Sequence, residues 1–436
     1  MKKRLRPLHH MFLFVLLHVC GSVLPALEYT NIQAALADAF GSLVDPNEGL
    51  TGFRSLNVPS GGRAESLGTA FTGIADDIGF FEYNPAASSV LENTEVAVFH
   101  NAWIADSALE TISWTTRKNN FGGGASLRCF YLPFTEYNIF GERVAGGYYS
   151  ETALTLNMSY NFLAGYYFKG LSLGYNLKTA FRSMPDYADN DTNEIIAGSG
   201  LAQSAVAVMA DAGLLLRFNA AKRYASREPN LKIGLTVSNL GAAFTGFGSD
   251  GGVTLDDPLP TRIALGVSYR IIRPVLVSLE FRQPVNLQNV SESGSWSAAA
   301  GTEIRITDFF AFQAGFLLQG GNPRFSIGSE FAVSSCILNV NYTLDLTSSL
   351  NPLNRISLSA KMKLGDGGRA EKQARIDEFY NEGLRSYAQG ELEEAIAAWR
   401  ECLALDPRFD PAKNAISAAQ ESLRLILRIR EIQTLD

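Results

Sequence analysis

The sequence predicts an all-β transmembrane barrel of about 14 antiparallel strands, followed by a small α-helical domain. Three observations carry that expectation: a long stretch of period-two alternation, strands of near-uniform length, and an export leader with no apolar helix after it. Between Thr94 and Leu364, apolar and polar residues alternate again and again, as they do on a strand with two different faces. Leu171, Leu173, Tyr175, Leu177, Thr179 and Phe181 oppose Ser172, Gly174, Asn176, Lys178, Ala180 and Arg182. Ile356, Leu358, Ala360, Met362 and Leu364 oppose Arg355, Ser357, Ser359, Lys361 and Lys363. Such segments fall near 94–103, 108–117, 121–132, 150–163, 168–182, 203–218 and 231–241. They resume near 261–272, 275–283, 296–306, 309–319, 323–333, 335–345 and 354–364.

Each segment is long enough for the roughly 9–11 residues that a tilted strand needs to cross a bilayer. In hydrocarbon a sheet must close on itself, because unpaired edge amides and carbonyls have no water to bond. Closure with the apolar face outward is the outer-membrane type of barrel. A soluble β-sandwich or barrel shows the same alternation with its apolar face inward, and alternation alone does not separate the two. Export and the Gly, Ser, Asn, Lys and Arg content of the polar face favour the membrane.

The chain opens with Lys2, Lys3, Arg4 and Arg6, then the apolar run Met11–Cys20, then small residues to Ala26. That is the layout of a secretory signal peptide over residues 1–26. Leu17-His18-Val19-Cys20 only loosely resembles a lipoprotein box. No later run of about 20 apolar residues offers a transmembrane helix. Charged residues are 19% of the 436, and mean hydropathy is +0.02, apolar for a soluble protein. A net charge of −7 with no basic run beyond the leader argues against nucleic acid. Cys129, Cys336 and Cys402 form no CxxC and no disulfide framework, and the first two could pair only if their strands met.

Residues 27–93 do not read as strands. Ile32–Phe40 suits a short helix, and Val44–Gly62 is a linker rich in turn residues. Small residues follow at Ala64, Gly68, Ala70 and Gly73, then Asp76-Asp77, then a turn at Asn84-Pro85. The stretch GRAESLGTAFTGIADD, continuing to YNPAA at Ala87, resembles the N-terminal signature of the FadL-type outer-membrane transport proteins. Within them it is most similar to the PorV-like branch and to the uncharacterised spirochaete group UPF0164. The resemblance implies a 14-stranded barrel closed by an N-terminal hatch that carries an Asn-Pro-Ala turn. Asn84, Pro85 and Ala86 match that turn; Gly68, Ala70, Ala75, Asp76 and Asp77 match the approach to it. Phe80-Phe81-Glu82 departs from the small residues common there. On the residues alone, Asn84-Pro85 is a turn between a helix and the first strand.

Along the barrel at 94–364, short turns are expected at Thr307-Asp308 and Asn322-Pro323. Longer connections are expected at 133–149, 184–202, 220–230, 242–260 and 286–295. The stretches 184–202 and 242–260 are acidic and glycine-rich but lack EF-hand spacing, so solvated loops are favoured over a calcium site.

After a hinge at 365–369 the period becomes 3.6. Within residues 370–436, Gly383, Tyr387, Gly390, Ala395, Trp399 and Pro407 follow the spacing of a tetratricopeptide repeat, with Glu382 where a leucine is usual. A helix over Pro411–Ile432 carries Ile416, Leu423, Ile426, Leu427 and Ile429. One repeat and one helix are fewer than such arrays use to bury a shared core, so the tail is expected to dock on the barrel mouth, another copy or a periplasmic protein. A self-contained helical cap is the alternative. Both ends of an even-stranded barrel share one side, which places plug and tail together in the periplasm.

Only His100 remains beyond the leader, leaving no His-rich metal cluster and almost no material for Ser-His-Asp chemistry. Glu280 and Asp345 are expected to pair with lumenal Arg or Lys. No enzyme activity and no cofactor are expected. The resemblance implies outer-membrane uptake of small hydrophobic solutes such as long-chain fatty acids, with lipid as the surrounding partner. The tail suggests instead an anchor for periplasmic or secretion partners. A non-selective porin is disfavoured, since a hatch obstructs the lumen.

Overall fold

In a computed structural model, the described residues are 39–433 apart from 105, 190, 191, 250 and 346–353. The leader and most of the expected 32–40 helix lie outside them. A first group of strands comprises β1 (Thr94–Ala102), β2 (Ala108–Lys118), β3 (Phe121–Tyr137), β4 (Arg143–Phe162) and β5 (Leu171–Ser183). Then come β6 (Ala205–Phe218), β7 (Leu231–Thr245), the two-residue β8 (Thr254–Leu255), β9 (Arg262–Ile272) and β10 (Val275–Pro284). The last group is β11 (Ser297–Thr307), β12 (Phe310–Gln319), β13 (Asn322–Val333), β14 (Cys336–Asp345) and β15 (Asn354–Gly365). The helices are α1 (Gly62–Ser66), α2 (Ser199–Gln203), α3 (Arg369–Gln389), α4 (Leu392–Leu405) and α5 (Asp410–Gln433).

Each long strand pairs antiparallel with the next in the chain, β1 pairs with β15, and β6 pairs with β7. The ring therefore closes with 14 strands, and β8 hangs on β7 outside it. Closure leaves no unpaired edge, which is what a sheet in lipid requires.

Which face looks outward decides between the two readings of the alternation. On β5, Leu177 is 50% exposed while its neighbour Asn176 is 0% exposed. On β10, Leu279 is 64% exposed and Glu280 is 4% exposed. Most large apolar residues of the strands form the outer wall and most polar ones line the lumen, with Phe99, Met209 and Leu317 among the apolar residues turned inward. A soluble barrel has the opposite polarity, so this is a transmembrane β-barrel. None of the described helices is long and apolar enough to cross a membrane.

Three connections differ from expectation. The stretch 133–149 is no loop: β3 and β4 run on to Tyr137 and Arg143 with the turn between them. The expected Asn322-Pro323 turn falls at Gly320-Gly321, both at positive φ, and Asn322 already begins β13. The 242–260 loop starts later, because β7 continues to Thr245. In the two acidic loops, Asp186 of 184–202 accepts from the Gly198 and Gly200 amides, and Asp256 of 242–260 pairs with Arg182 at 2.9 Å.

Plug and tail share one end only at the plug's last residues. Residues 45–52 lie among the loops opposite the tail: Asp45 accepts from the Ser295 amide, and the Gly52 amide donates to Pro258. The chain then descends through the lumen to Glu92, whose carbonyl accepts from Arg369 at the start of α3. The N-terminal segment thus traverses the barrel from loop end to tail end.

Candidate functional site

The hatch is held in the lumen by ions and by backbone contact. Arg63 on α1 reaches Glu303 of β11 at 2.5 Å, Asp76 at 2.5 Å and Asp77 at 3.3 Å. Asp76 also meets Lys232 of β7 at 3.0 Å, and Asp77 meets Lys361 of β15 at 2.8 Å. Lys361 goes on to Glu330 of β13 at 3.2 Å. The Asp pair singled out by its place before the turn therefore ties the hatch to two strands directly, β7 and β15, and to β11 through Arg63. A charge buried here is tolerable because each is paired and hydrogen-bonded.

Asn84 is buried and uses every polar atom of its side chain. Its Oδ1 accepts from the Ala86 amide at 3.1 Å, capping the 3-10 turn Pro85–Ser89. Its Nδ2 donates to the Thr72 carbonyl at 3.0 Å and to the Leu214 carbonyl of β6 at 3.1 Å. The Pro85 carbonyl accepts from Asn157 of β4 at 2.9 Å, and Ala86 is fully buried. Asn157 continues to Asn176, Asn176 to Asp211, and Asp211 to Lys178 at 2.6 Å, a polar ladder across β4, β5 and β6. Phe80 and Phe81, which depart from the resemblance, stack at 4.3 Å in the core, while Glu82 binds Arg128 of β3 at 3.1 Å.

The wall meets the hatch through inward glycines. A Cβ on Gly174 would strike the Pro85 carbonyl, and one on Gly315 would strike the Gly68 amide. Gly213, Gly234, Gly266 and Gly301 likewise face Pro85, Thr72, Gly73 and Leu67. They come as facing pairs: Gly174 with Gly213, Gly234 with Gly266, Gly301 with Gly315. Only a glycine girdle lets the plug's main chain touch the barrel's main chain. Sequence reasoning placed these glycines on the polar face without seeing this role. A recurrent glycine at the middle of inward faces was the available signal. Arg63, Lys232, Glu303, Glu330 and Lys361 were missed individually.

Above the hatch, at the loop end, lies a chamber of about 140 Å³ bounded by Trp103, Arg262, Arg282, Val285, Leu317 and Arg355 among others. Arg355 is 4% exposed, its guanidinium sits 4.1 Å over the Trp103 ring, and its Nε has no hydrogen-bond partner. Arg262 donates to the Glu82 carbonyl at 2.9 Å. Arg282 pairs with Glu280 at 2.6 Å and Arg324 with Asp345 at 3.2 Å, so both singled-out acids have lumenal cations. His100 points outward and lies 2.7 Å from Glu110. Cys129, Cys336 and Cys402 are free; the strands of the first two, β3 and β14, are not neighbours.

In the tail, Trp399 is buried and its indole donates to the Tyr380 carbonyl at 3.1 Å. Gly383 lies under that indole, where a Cβ would collide with it, and Ala395 is 0% exposed in the same core. Tyr387 packs 5.9 Å from the Trp399 ring, Gly390 ends α3 at positive φ, and Pro407 follows α4. Tyr166, from a barrel turn, meets Phe409 of this core at 5.1 Å, and Arg227 pairs with Asp377 at 2.6 Å. The helices therefore rest on the barrel rim.

A family model described as an uncharacterised protein family, UPF0164, matches residues 30–367. A UPF0164 protein of Treponema pallidum (strain Nichols) is 33% identical over 408 residues, covering 91% of this chain and 90% of the relative. Among solved structures, the Ralstonia pickettii toluene transporter TbuX aligns with a TM-score of 0.45 at 11% identity, over 70% of this chain and 98% of that one. A Pseudomonas aeruginosa FadL homologue aligns with a TM-score of 0.43 at 11% identity, over 69% of this chain and 97% of that one.

Proposed function

This chain belongs to UPF0164, an uncharacterised protein family, and from that premise we propose that it is an outer-membrane barrel that admits small hydrophobic solutes, long-chain fatty acids among them. The observation that carries this reading is the chamber above the hatch. Its apolar members, Trp103, Val285 and Leu317, offer contact to a hydrocarbon body. Arg355, buried with an unused Nε–H, offers a donor to an acidic head. The hatch below blocks free diffusion, so passage requires the segment around Asn84-Pro85 to shift. The leader over residues 1–26 and the even strand number support a periplasmic tail and an exterior loop end.

The test is binding of a fluorescent fatty acid to refolded protein with and without residues 366–436. Saturable binding that ignores the tail and weakens in Arg355→Gln supports uptake; no binding to either form overturns it. A second reading, an outer-membrane anchor for periplasmic or secretion partners, is favoured by one feature. The outer half of α5 exposes Leu425, Ile426, Leu427 and Ile429, an apolar surface that nothing in the chain covers among the described residues. Tail-dependent capture of a periplasmic protein, lost in Leu427→Glu, together with no fatty-acid binding, would select that reading.

A further inference from the structure

Between the helical tail and the barrel rim runs a groove of about 760 Å³, apart from the lumen and the chamber above the hatch. Arg117 and Lys118 close β2, Arg369 and Lys372 open α3, and Arg408 follows α4; all five line it, against the single carboxylate of Asp406. No side chain of the five has a carboxylate oxygen within 4.0 Å among the described residues. The arginines are held in place by carbonyls instead. Arg117 donates to Leu91 at 3.0 Å, Arg369 to Arg117 at 2.9 Å, and Arg408 to Ala164 at 2.8 Å. Lys118 and Lys372 are exposed, and neither side-chain ammonium donates to an atom of the described residues. Glu92 and Glu228 act on Arg117 and Asp366 on Arg369 from outside the groove lining, where five cations still face one carboxylate and repel one another unless an anion joins them.

The groove's other members say where that anion comes from. Phe121 and Tyr160 face each other in register on β3 and β4, both pointing out toward lipid. Aromatic residues at the end of a transmembrane strand sit at headgroup level. The basic groove therefore opens onto the bilayer interface, beside a hydrocarbon-facing wall that continues through Met158 and Leu156.

We propose that this groove binds the anionic headgroup of a phospholipid whose acyl chains lie along the outer faces of β3 and β4, and that the lipid braces the tail against the barrel. This stands apart from the transport reading, since it uses neither the lumen nor the hatch. Basic clusters of this kind at a membrane surface recognise anionic lipids, each cation contributing about fivefold in affinity.

The test uses the full chain in neutral detergent, titrated with dioleoylphosphatidylglycerol, dioleoylphosphatidylcholine or inorganic phosphate, with bound species counted by native mass spectrometry. Retention of phosphatidylglycerol is expected to exceed that of phosphatidylcholine by about tenfold or more and to resist phosphate. In Lys118→Gln/Lys372→Gln, affinity for phosphatidylglycerol should fall by about 25-fold, about fivefold per charge. Both lysines are exposed, and unchanged heat-modifiable mobility of the barrel would verify folding. Lys413→Gln, which does not line the groove and pairs with Asp410, should leave retention unchanged. Equal retention of the two lipids, full displacement by inorganic phosphate, or an unaffected double variant would each overturn the proposal.

Discussion

Arg63 on the hatch and Glu303 on the barrel wall, 240 positions apart in the chain, meet at 2.5 Å inside the lumen. The pair is buried on both sides, and Asp76 and Asp77 share the same guanidinium. Arg63→Ala leaves three carboxylates facing one another with Lys232, Lys361 and the more distant Arg305 as the remaining cations. Breaking a buried ion pair of this kind costs about 3–5 kcal/mol. The hatch should loosen before the barrel does. Hydrogen exchange across residues 60–90 is expected to rise while strand amides stay protected, and liposomes bearing the variant should leak small polar solutes.

The glycine girdle makes an independent forecast. Gly174→Ala sets a methyl against the Pro85 carbonyl, and Gly315→Ala sets one against the Gly68 amide, where neither backbone has room to give. Overpacking of this kind costs about 1–3 kcal/mol. Gly123→Ala, whose Cβ would meet the Asn157 carbonyl at 3.4 Å and the Phe121 ring at 3.8 Å, is the control. The temperature of the heat-modifiable gel shift should drop for the first two and stay for the third.

Asn84 separates an anchor from a mere turn. Asn84→Ala strips the Thr72 and Leu214 carbonyls of their donor as well as the cap on Ala86. Leaving buried groups unpaired costs about 1–3 kcal/mol. Asn84→Asp keeps the cap and removes the donor, so it should destabilise the hatch as well. Were Asn84→Asp to match the native protein in hatch protection, the turn alone would matter.

Lipid-facing polarity is testable at the middle of β5. Leu177→Arg puts a charge in hydrocarbon and should cost about 2–4 kcal/mol in a urea titration of folding into vesicles. Thr236→Ser, on the lumenal face of β7, should be nearly neutral. A protein that folds and stays monodisperse without detergent would contradict the outward apolar wall.

The tail has its own reporter. Burial pushes the Cys402 thiol up to about 11, so it should alkylate slowly near neutral pH. Since the folded thiol holds its proton more tightly than the unfolded one, the tail's stability is full below about pH 9 and falls as the pH rises toward about 11. Trp399→Ala removes the ring over Gly383 at a cost of about 3–5 kcal/mol. Alkylation of Cys402 should then become fast at pH 8, with protease resistance of the barrel unchanged.

Much of the architecture was legible from local pattern. A strand's pleat forces alternation wherever its two sides meet different surroundings, so 14 strands show in the sequence almost residue by residue. Helical spacing likewise marked Gly383, Ala395 and Trp399 as packing neighbours before any contact was seen. Turn positions were less legible: Gly320-Gly321 took the reversal expected at Asn322-Pro323, because positive φ at two successive residues suits glycine better than an Asn-Pro step. The candidate site was legible only in part. Asp76, Asp77 and Asn84 stood out by their place beside a turn, whereas Lys361 was marked only as one of several polar-face residues of its strand and Arg63, Lys232 and Glu303 carried no local mark.

By itself, the order of residues determined the period of each segment, the number of strands and the break to helix after Gly365. Alternation alone left open which side of the sheet faces lipid, with the leader and the polar-face composition favouring the apolar side; the passage of the plug from loop end to tail end and the meeting of Asp77 with Lys361 across 284 positions were decided by tertiary structure alone. Alternation is a property of one strand and its pleat. Polarity and pairing across a lumen exist only once the ring has closed and set distant strands opposite one another.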